Sequence, residues 1–188
     1  GLLLGGCRGL LVLRGSNHSE GLPGGSVQTQ MLIGGKWLDG SGSDRIEVLN
    51  PANGEVIAEV AAGTPADATA AVDAADLAQR SWAATAPRVR SEVLRNCWQT
   101  LLNHTDELAG LITAEHGKPT ADAKGEIAYA AEFFRWNAEE AVRIDGVIKT
   151  APSGAHKILI HHPPVGVVVM VTPWNFPAAM ITRKVAPA

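Results

Sequence analysis

The sequence predicts an α/β fold, and three observations predict it. Short β-type segments crowd residues 31–60, helical spacing runs from about residue 64 to residue 144, and a continuous apolar run follows before one more helical stretch. Strands, then a block of helices, then a further strand fit α/β. The run itself, Val165-Gly166-Val167-Val168-Val169-Met170-Val171, shows no polar alternation. That pattern belongs to a strand buried on both faces, as in a parallel sheet.

The elements can be taken in order. Met31-Leu32-Ile33 and Lys36-Trp37-Leu38 flank Gly34-Gly35, a hairpin signal. Ile46-Glu47-Val48-Leu49 and Val56-Ile57-Ala58-Glu59-Val60 flank Asn53-Gly54, a second one. Thr64-Pro65-Ala66-Asp67 then opens a helix with a cap, a proline and an acid near the positive end. Val72, Ala75, Ala78, Gln79 and Trp82 fall near one face of it. Pro87 opens a second helix with Val89, Val93, Leu94, Cys97, Leu101 and Leu102 at helical spacing. Thr105-Asp106 starts a third, which Gly117 and Pro119 end. A fourth is expected from about Thr120 to Ile144 with Gly146 as its stop, and Ile127, Ala131, Phe134 and Ala138 form its core stripe. Val147-Ile148-Lys149 and Lys157-Ile158-Leu159-Ile160-His161 make an exposed hairpin around Pro152-Ser153-Gly154. There is no internal repeat.

Composition excludes several function classes. Hydrophobic residues make up 46% and charged residues 19%, a globular rather than disordered balance. Net charge is −3 with no basic block, which argues against a nucleic-acid partner. No apolar stretch reaches the roughly 18 residues of a membrane span. Cys7 and Cys97 are too few and too isolated for a disulfide framework, and Cys97 reads as a small buried hydrophobe. The six histidines lack metal-ligand spacing, so no metal site is expected. His161 and His162 are adjacent and would point to opposite faces of a strand, and His116 suits the negative end of the third helix. Residues 1–30 read as translated upstream sequence or a poorly ordered extension, with a targeting-peptide remnant as the alternative.

After the apolar run comes Thr172-Pro173-Trp174-Asn175-Phe176-Pro177. Two prolines bracket Trp-Asn-Phe and forbid regular structure there, while Pro177 suits the first turn of a new helix. Asn175 therefore sits in a stiff loop at the carboxyl end of a strand, where open α/β sheets bind ligands. From spacing alone, Asn175 reads as a cap of that helix, Trp174 as a packing residue and Arg183 as a solvated helix arginine.

This segment resembles the oxyanion-site segment of the aldehyde dehydrogenase family. The resemblance runs from about Met31 to Ala188, through Ile33-Gly34-Gly35-Lys36-Trp37, Asn50-Pro51-Ala52-Asn53-Gly54-Glu55-Val56-Ile57, Glu115-His116-Gly117-Lys118-Pro119 and Ala123-Lys124-Gly125-Glu126-Ile127. Glu126-Ile127-Ala128-Tyr129-Ala130-Ala131-Glu132-Phe133-Phe134 and Ala178-Ala179-Met180-Ile181-Thr182-Arg183-Lys184 resemble the succinate-semialdehyde dehydrogenase branch.

The resemblance implies a fold and a chemistry. The fold is the amino-terminal part of a Rossmann-like cofactor domain. Residues 1–30 stand outside it, 31–145 form its first part, 146–163 a protruding oligomerisation hairpin, and 164–188 the start of the cofactor-binding core. The implied reaction is NAD- or NADP-dependent oxidation of succinate semialdehyde to succinate through a cysteine thiohemiacetal. Asn175 is implied as the oxyanion donor. Thr172, Pro173, Trp174 and Asn175 are implied to line the cofactor, and Arg183 to bind the substrate carboxylate. The implied assembly is a homo-oligomer, cytoplasmic, or mitochondrial for a eukaryotic source. In this family the nucleophilic cysteine, the general-base glutamate and the glycine-containing cofactor motif lie further along than Ala188. The chain is therefore expected to be a fragment without turnover of its own. The alternatives are a fragment of a dehydrogenase for another semialdehyde, or a non-catalytic short protein that associates with full-length subunits.

Overall fold

The structure is a computed structural model and describes residues 27–188. The expected extension over residues 1–30, including Cys7, falls almost wholly outside the described residues. The described residues form three antiparallel hairpins and five helices. The first hairpin pairs β1 (Met31–Ile33) with β2 (Lys36–Leu38), Met31 opposite Leu38. Its turn holds Gly34 at φ +58° and Gly35 at φ +77°, the double left-handed geometry that favours glycine at both positions. The second pairs β3 (Arg45–Leu49) with β4 (Val56–Ala61), with a register irregularity between Val48 and Leu49.

Helix α1 (Pro65–Ala83) starts as the sequence predicts. The Thr64 hydroxyl accepts the Asp67 N–H at 3.3 Å, and the Asp67 carboxylate accepts the Thr64 N–H at 2.8 Å. This is a reciprocal capping box with Asp in the acidic position. Asp67 also accepts the Ser41 N–H at 3.0 Å, which ties the loop after β2 to the start of α1. The Thr64 backbone and hydroxyl donors, and then those of Ser41, outweigh desolvation and hold the Asp67 carboxyl below its ordinary value.

Helix α4 (Thr120–Glu140) is the centre of the packing, with α2 (Pro87–Asn103), α3 (Thr105–His116) and α5 (Ala179–Val185) against it. Its predicted stripe is buried: Ile127, Ala131, Phe134 and Ala138 all lie in the core. Phe134 and Ala131 join Cys97 and Leu101 of α2 and Ala186 just past α5 in one cluster. Ile127 and Ala123 join Ala109 and Ile112 of α3 in another. Alanine at four core positions of α4 brings the helices close, so that even single methylenes at these contacts matter. Cys97 is buried as expected.

Several expectations need correction. Val72 and Val89, expected on the inner faces of their helices, are exposed. Helix α4 ends at Glu140, not near Ile144. The Arg143 N–H bonds the Glu140 carbonyl at 2.8 Å, three residues back rather than four, and an Arg143–Glu140 ion pair at 2.7 Å closes the same turn. The third hairpin, β5 (Val147–Thr150) with β6 (Lys157–Ile160), turns through Gly154 at φ +72°. His161 and His162 lie beyond the end of β6, and the His162 ring meets the Asp145 carbonyl at 2.7 Å.

The largest departure is the valine run. Residues 165–171 form no strand and join no ladder among the described residues, and Val165 is 93% exposed. A parallel strand needs ladder partners on both sides and cover on both faces. The three hairpins are separate two-stranded sheets and supply neither.

Candidate functional site

The segment 172–178 leaves the extended run, bends through Trp174, Asn175 and Phe176, and turns through Pro177 and Ala178 into α5. The Met180 N–H already bonds the Phe176 carbonyl at 3.0 Å, so Pro177 occupies the first hydrogen-bonded turn although regular helix begins at Ala179. A missing N–H costs nothing at that point in a helix.

The first amides of a helix have no partner within it and, when covered, need an acceptor from elsewhere. No residue of the loop provides one: α5 has no capping bond from its own N-cap side, and Asn175 does not cap it. The acceptor comes from α4. Glu126 Oε1 receives the Ala178 N–H at 2.8 Å and the Ala179 N–H at 3.3 Å. Its other oxygen, Oε2, pairs with the Lys118 ammonium. Lys118 in turn donates to the Asn175 carbonyl at 3.4 Å and stands 4.1 Å from the centre of the Phe176 ring. The Glu126 side chain is 1% exposed and that of Lys118 12%. Breaking a buried pair of this kind by removing one partner costs about 3–5 kcal/mol, because the other charge is stranded.

The loop is therefore held from behind while its outer side is open. Asn175 is exposed, and Trp174 is 78% exposed. Thr172 is half-buried and Pro173 exposed. The Trp174 indole leans on the His116 ring at the end of α3, with ring centres 5.7 Å apart and planes tilted by 39°. Neither ring nitrogen of His116 has a hydrogen-bond partner among the described residues. Trp174 thus has a packing contact on one side and an open face on the other. Arg183 lies on α5 about one turn from its start, and it is exposed. Among the described residues it has no ion-pair partner. Lys184 bonds the Val171 carbonyl, which ties the end of the valine run to α5.

Pro173, Trp174 and Asn175 are thus one contiguous exposed edge continuing from half-buried Thr172, with Arg183 on the helix it leads into. This stretch offers a neutral amide, a hydroxyl and an aromatic face, groups that can hydrogen-bond to or stack on a neutral polar ligand. Among the described residues no group of three His, Cys, Asp or Glu side chains stands together to hold a metal ion. No helix of the described residues is long and apolar enough to cross a membrane.

Glu126 and Lys118 were not recognisable as site residues from periodicity. One signal was available: Glu126 falls on the buried face of α4, between Ala123 and Ala130, where a charge has no place without a partner.

The comparisons with known proteins agree with this architecture. The family model for the aldehyde dehydrogenase family matches residues 37–188. The chain is 45% identical over 159 residues to succinate-semialdehyde dehydrogenase [NADP(+)] GabD of Escherichia coli strain K12, covering 85% of this chain and 33% of that protein. It is 46% identical over 159 residues to glutarate-semialdehyde dehydrogenase of Pseudomonas putida, again covering 85% and 33%. A solved E. coli NADP-dependent enzyme superposes with a TM-score of 0.83 at 44% identity, over 85% of this chain and 33% of that one. The chain therefore spans about a third of the length of the relatives it matches.

Proposed function

The chain belongs to the aldehyde dehydrogenase family, and from that premise we propose that it forms part of a dehydrogenase that oxidises succinate semialdehyde to succinate with NAD or NADP. The nucleophile and the general base are assigned to the portion of the family's length that this chain does not span. Attack of a thiolate on the aldehyde places negative charge on the carbonyl oxygen. The Asn175 amide donates a hydrogen bond to that oxygen without any change of protonation. Such a donor lowers the barrier by about 3–4 kcal/mol. Thr172, Pro173 and Trp174 would hold the nicotinamide end of the cofactor, which accepts the hydride when bound. Arg183 would receive the distal carboxylate with two parallel hydrogen bonds, a match for a planar guanidinium.

The observation that carries this reading is the state of Asn175. Its amide is exposed, and the capping duty that would otherwise explain it is taken by Glu126. The test is turnover of the intact protein bearing Asn175→Ala. Removing the donor should lower kcat by about two to three orders of magnitude. An unchanged rate would remove Asn175 from the chemistry.

One observation favours a second reading, a short non-catalytic protein that associates with full-length subunits. The valine run and the β5–β6 hairpin both expose large apolar side chains, including Val165, Val169, Ile148 and Leu159. Exposed apolar surface of this kind marks interaction sites. The intact mass of the natural product separates the readings: a value near 19.7 kDa supports the second, and a much larger one the first.

A further inference from the structure

We propose that Glu126 and Lys118 are a positioning pair that sets where the Asn175 amide points, a role that rests on the oxyanion reading of Asn175 for its effect on rate. Three connections converge on the loop from behind. Glu126 Oε1 holds the two backbone N–H groups that follow Pro177, those of Ala178 and Ala179. Lys118 holds the carbonyl of Asn175 itself, at 3.4 Å. Its ammonium also sits 4.1 Å from the centre of the Phe176 ring, a cation–π distance. The pair thus contacts the loop on both sides of Phe176 and leaves the Asn175 side chain untouched.

The pair is well suited to fix a geometry. Glu126 projects from the packed face of α4, between Ala123 and Ile127, both fully buried. Lys118 follows Gly117, whose φ of +73° ends α3 and turns the chain toward α4. The loop therefore inherits its position from the core. A merely stabilising ion pair needs no contact with Asn175, whereas this one bonds that residue's own carbonyl. The part of the pair's effect that passes through Asn175 is bounded by the loss of the Asn175 amide itself. A displacement of about 1 Å costs up to roughly a hundredfold in rate.

The experiment combines crystallography and kinetics on the intact protein. Variants are Glu126→Ala, Glu126→Gln, Lys118→Met, Asn175→Ala and the double variant Glu126→Gln with Asn175→Ala. Glu126→Gln keeps an oxygen for the two amides while its NH2 faces the Lys118 ammonium and the ionic bond is lost, so it is the milder change at Glu126, and Lys118→Met leaves both amide bonds in place if either Glu126 variant fails to fold. The Asn175 loop should shift relative to α4 in Lys118→Met and Glu126→Gln. In both, kcat should fall about 3- to 30-fold with KM changed less than about 3-fold, and Glu126→Ala should lose more. In the Asn175→Ala background, Glu126→Gln should cost less than about 2-fold, since its target is gone. An unmoved loop, or the same loss in both backgrounds, overturns the proposal. A moved loop with full activity in Asn175→Ala would leave the positioning intact and overturn the oxyanion reading instead.

Discussion

Replacing Phe134 by alanine tests the core that carries the site. Phe134 is 1% exposed and shares one buried cluster with Cys97, Leu101, Ala131 and Ala186, in which α2, α4 and the end of α5 meet. Two losses add. Withdrawing a Phe side chain from the core forfeits about 1.5–3 kcal/mol of burial. The cavity adds about 24 cal/mol for each Å³ that does not collapse, so roughly 80 Å³ adds about 2 kcal/mol. The sum, about 3.5–5 kcal/mol, is a large share of the roughly 5–15 kcal/mol that stabilises a typical domain. Much collapse is not expected, because the neighbours on α4 are alanines already at the helix surface. The assay is urea unfolding of the intact protein, followed by tryptophan fluorescence and far-UV circular dichroism. The midpoint should fall while the slope stays constant. Phe134→Leu should lose less than half as much, and Leu77→Ala, at a position 69% exposed, under about 0.5 kcal/mol. A Phe134→Ala loss below about 1 kcal/mol would refute the claim that this ring organises the α2–α4–α5 contact.

Two other predictions concern the frame around the site. The folded-state Asp67 carboxyl titrates below its ordinary value because Thr64 and then Ser41 donate to it. Its contribution is therefore full above the ordinary carboxylate pKa of about 4 and is lost as pH falls through the lower folded value. Stability measured from pH 7 downward should fall less steeply in Asp67→Asn, and an unaltered acid limb would contradict the capping account. Gly117→Ala should destabilise by about 1–2 kcal/mol, because φ is +73° and the new Cβ would stand 3.0 Å from Pro51 Cγ. Thermal unfolding at one pH checks it, and an unchanged Tm would show that the α3 end can relax away from the β3–β4 turn.

Local signals explain how much of this fold the sequence disclosed. Thr64, Pro65 and Asp67 specify the start of α1 within four residues, and they form the predicted cap. Gly34-Gly35 and Gly154 specify turns for the same reason, since positive φ is a property of single residues. The stripe Ile127, Ala131, Phe134 and Ala138 was legible because helical spacing maps directly onto a buried face. Other features depend on partners distant in sequence. The valine run has the composition of a central strand, but strand formation requires neighbours that the described residues do not provide. Helix α4 ends where an i to i+3 bond replaces the helical one, which no residue type at 141–144 announces. At the site, the irregular loop through Trp174, Asn175 and Phe176 was legible from its two prolines. The Glu126 cap, 52 residues from Ala178, was not, because periodicity says which face a residue occupies and not what crosses it.

The most direct test of the account is the substrate preference of the intact protein with Arg183→Ala. Wild type and variant would be compared on succinate semialdehyde and on butanal, which has the same chain length without the carboxylate. A lost charge-assisted bidentate bond should lower kcat/KM for succinate semialdehyde by about 10- to 200-fold, or about 1.5–3 kcal/mol. The value for butanal should change less than about 3-fold, because it makes no use of the guanidinium. Equal losses on both aldehydes would contradict carboxylate recognition by Arg183, and with it the proposal that this chain serves a semialdehyde.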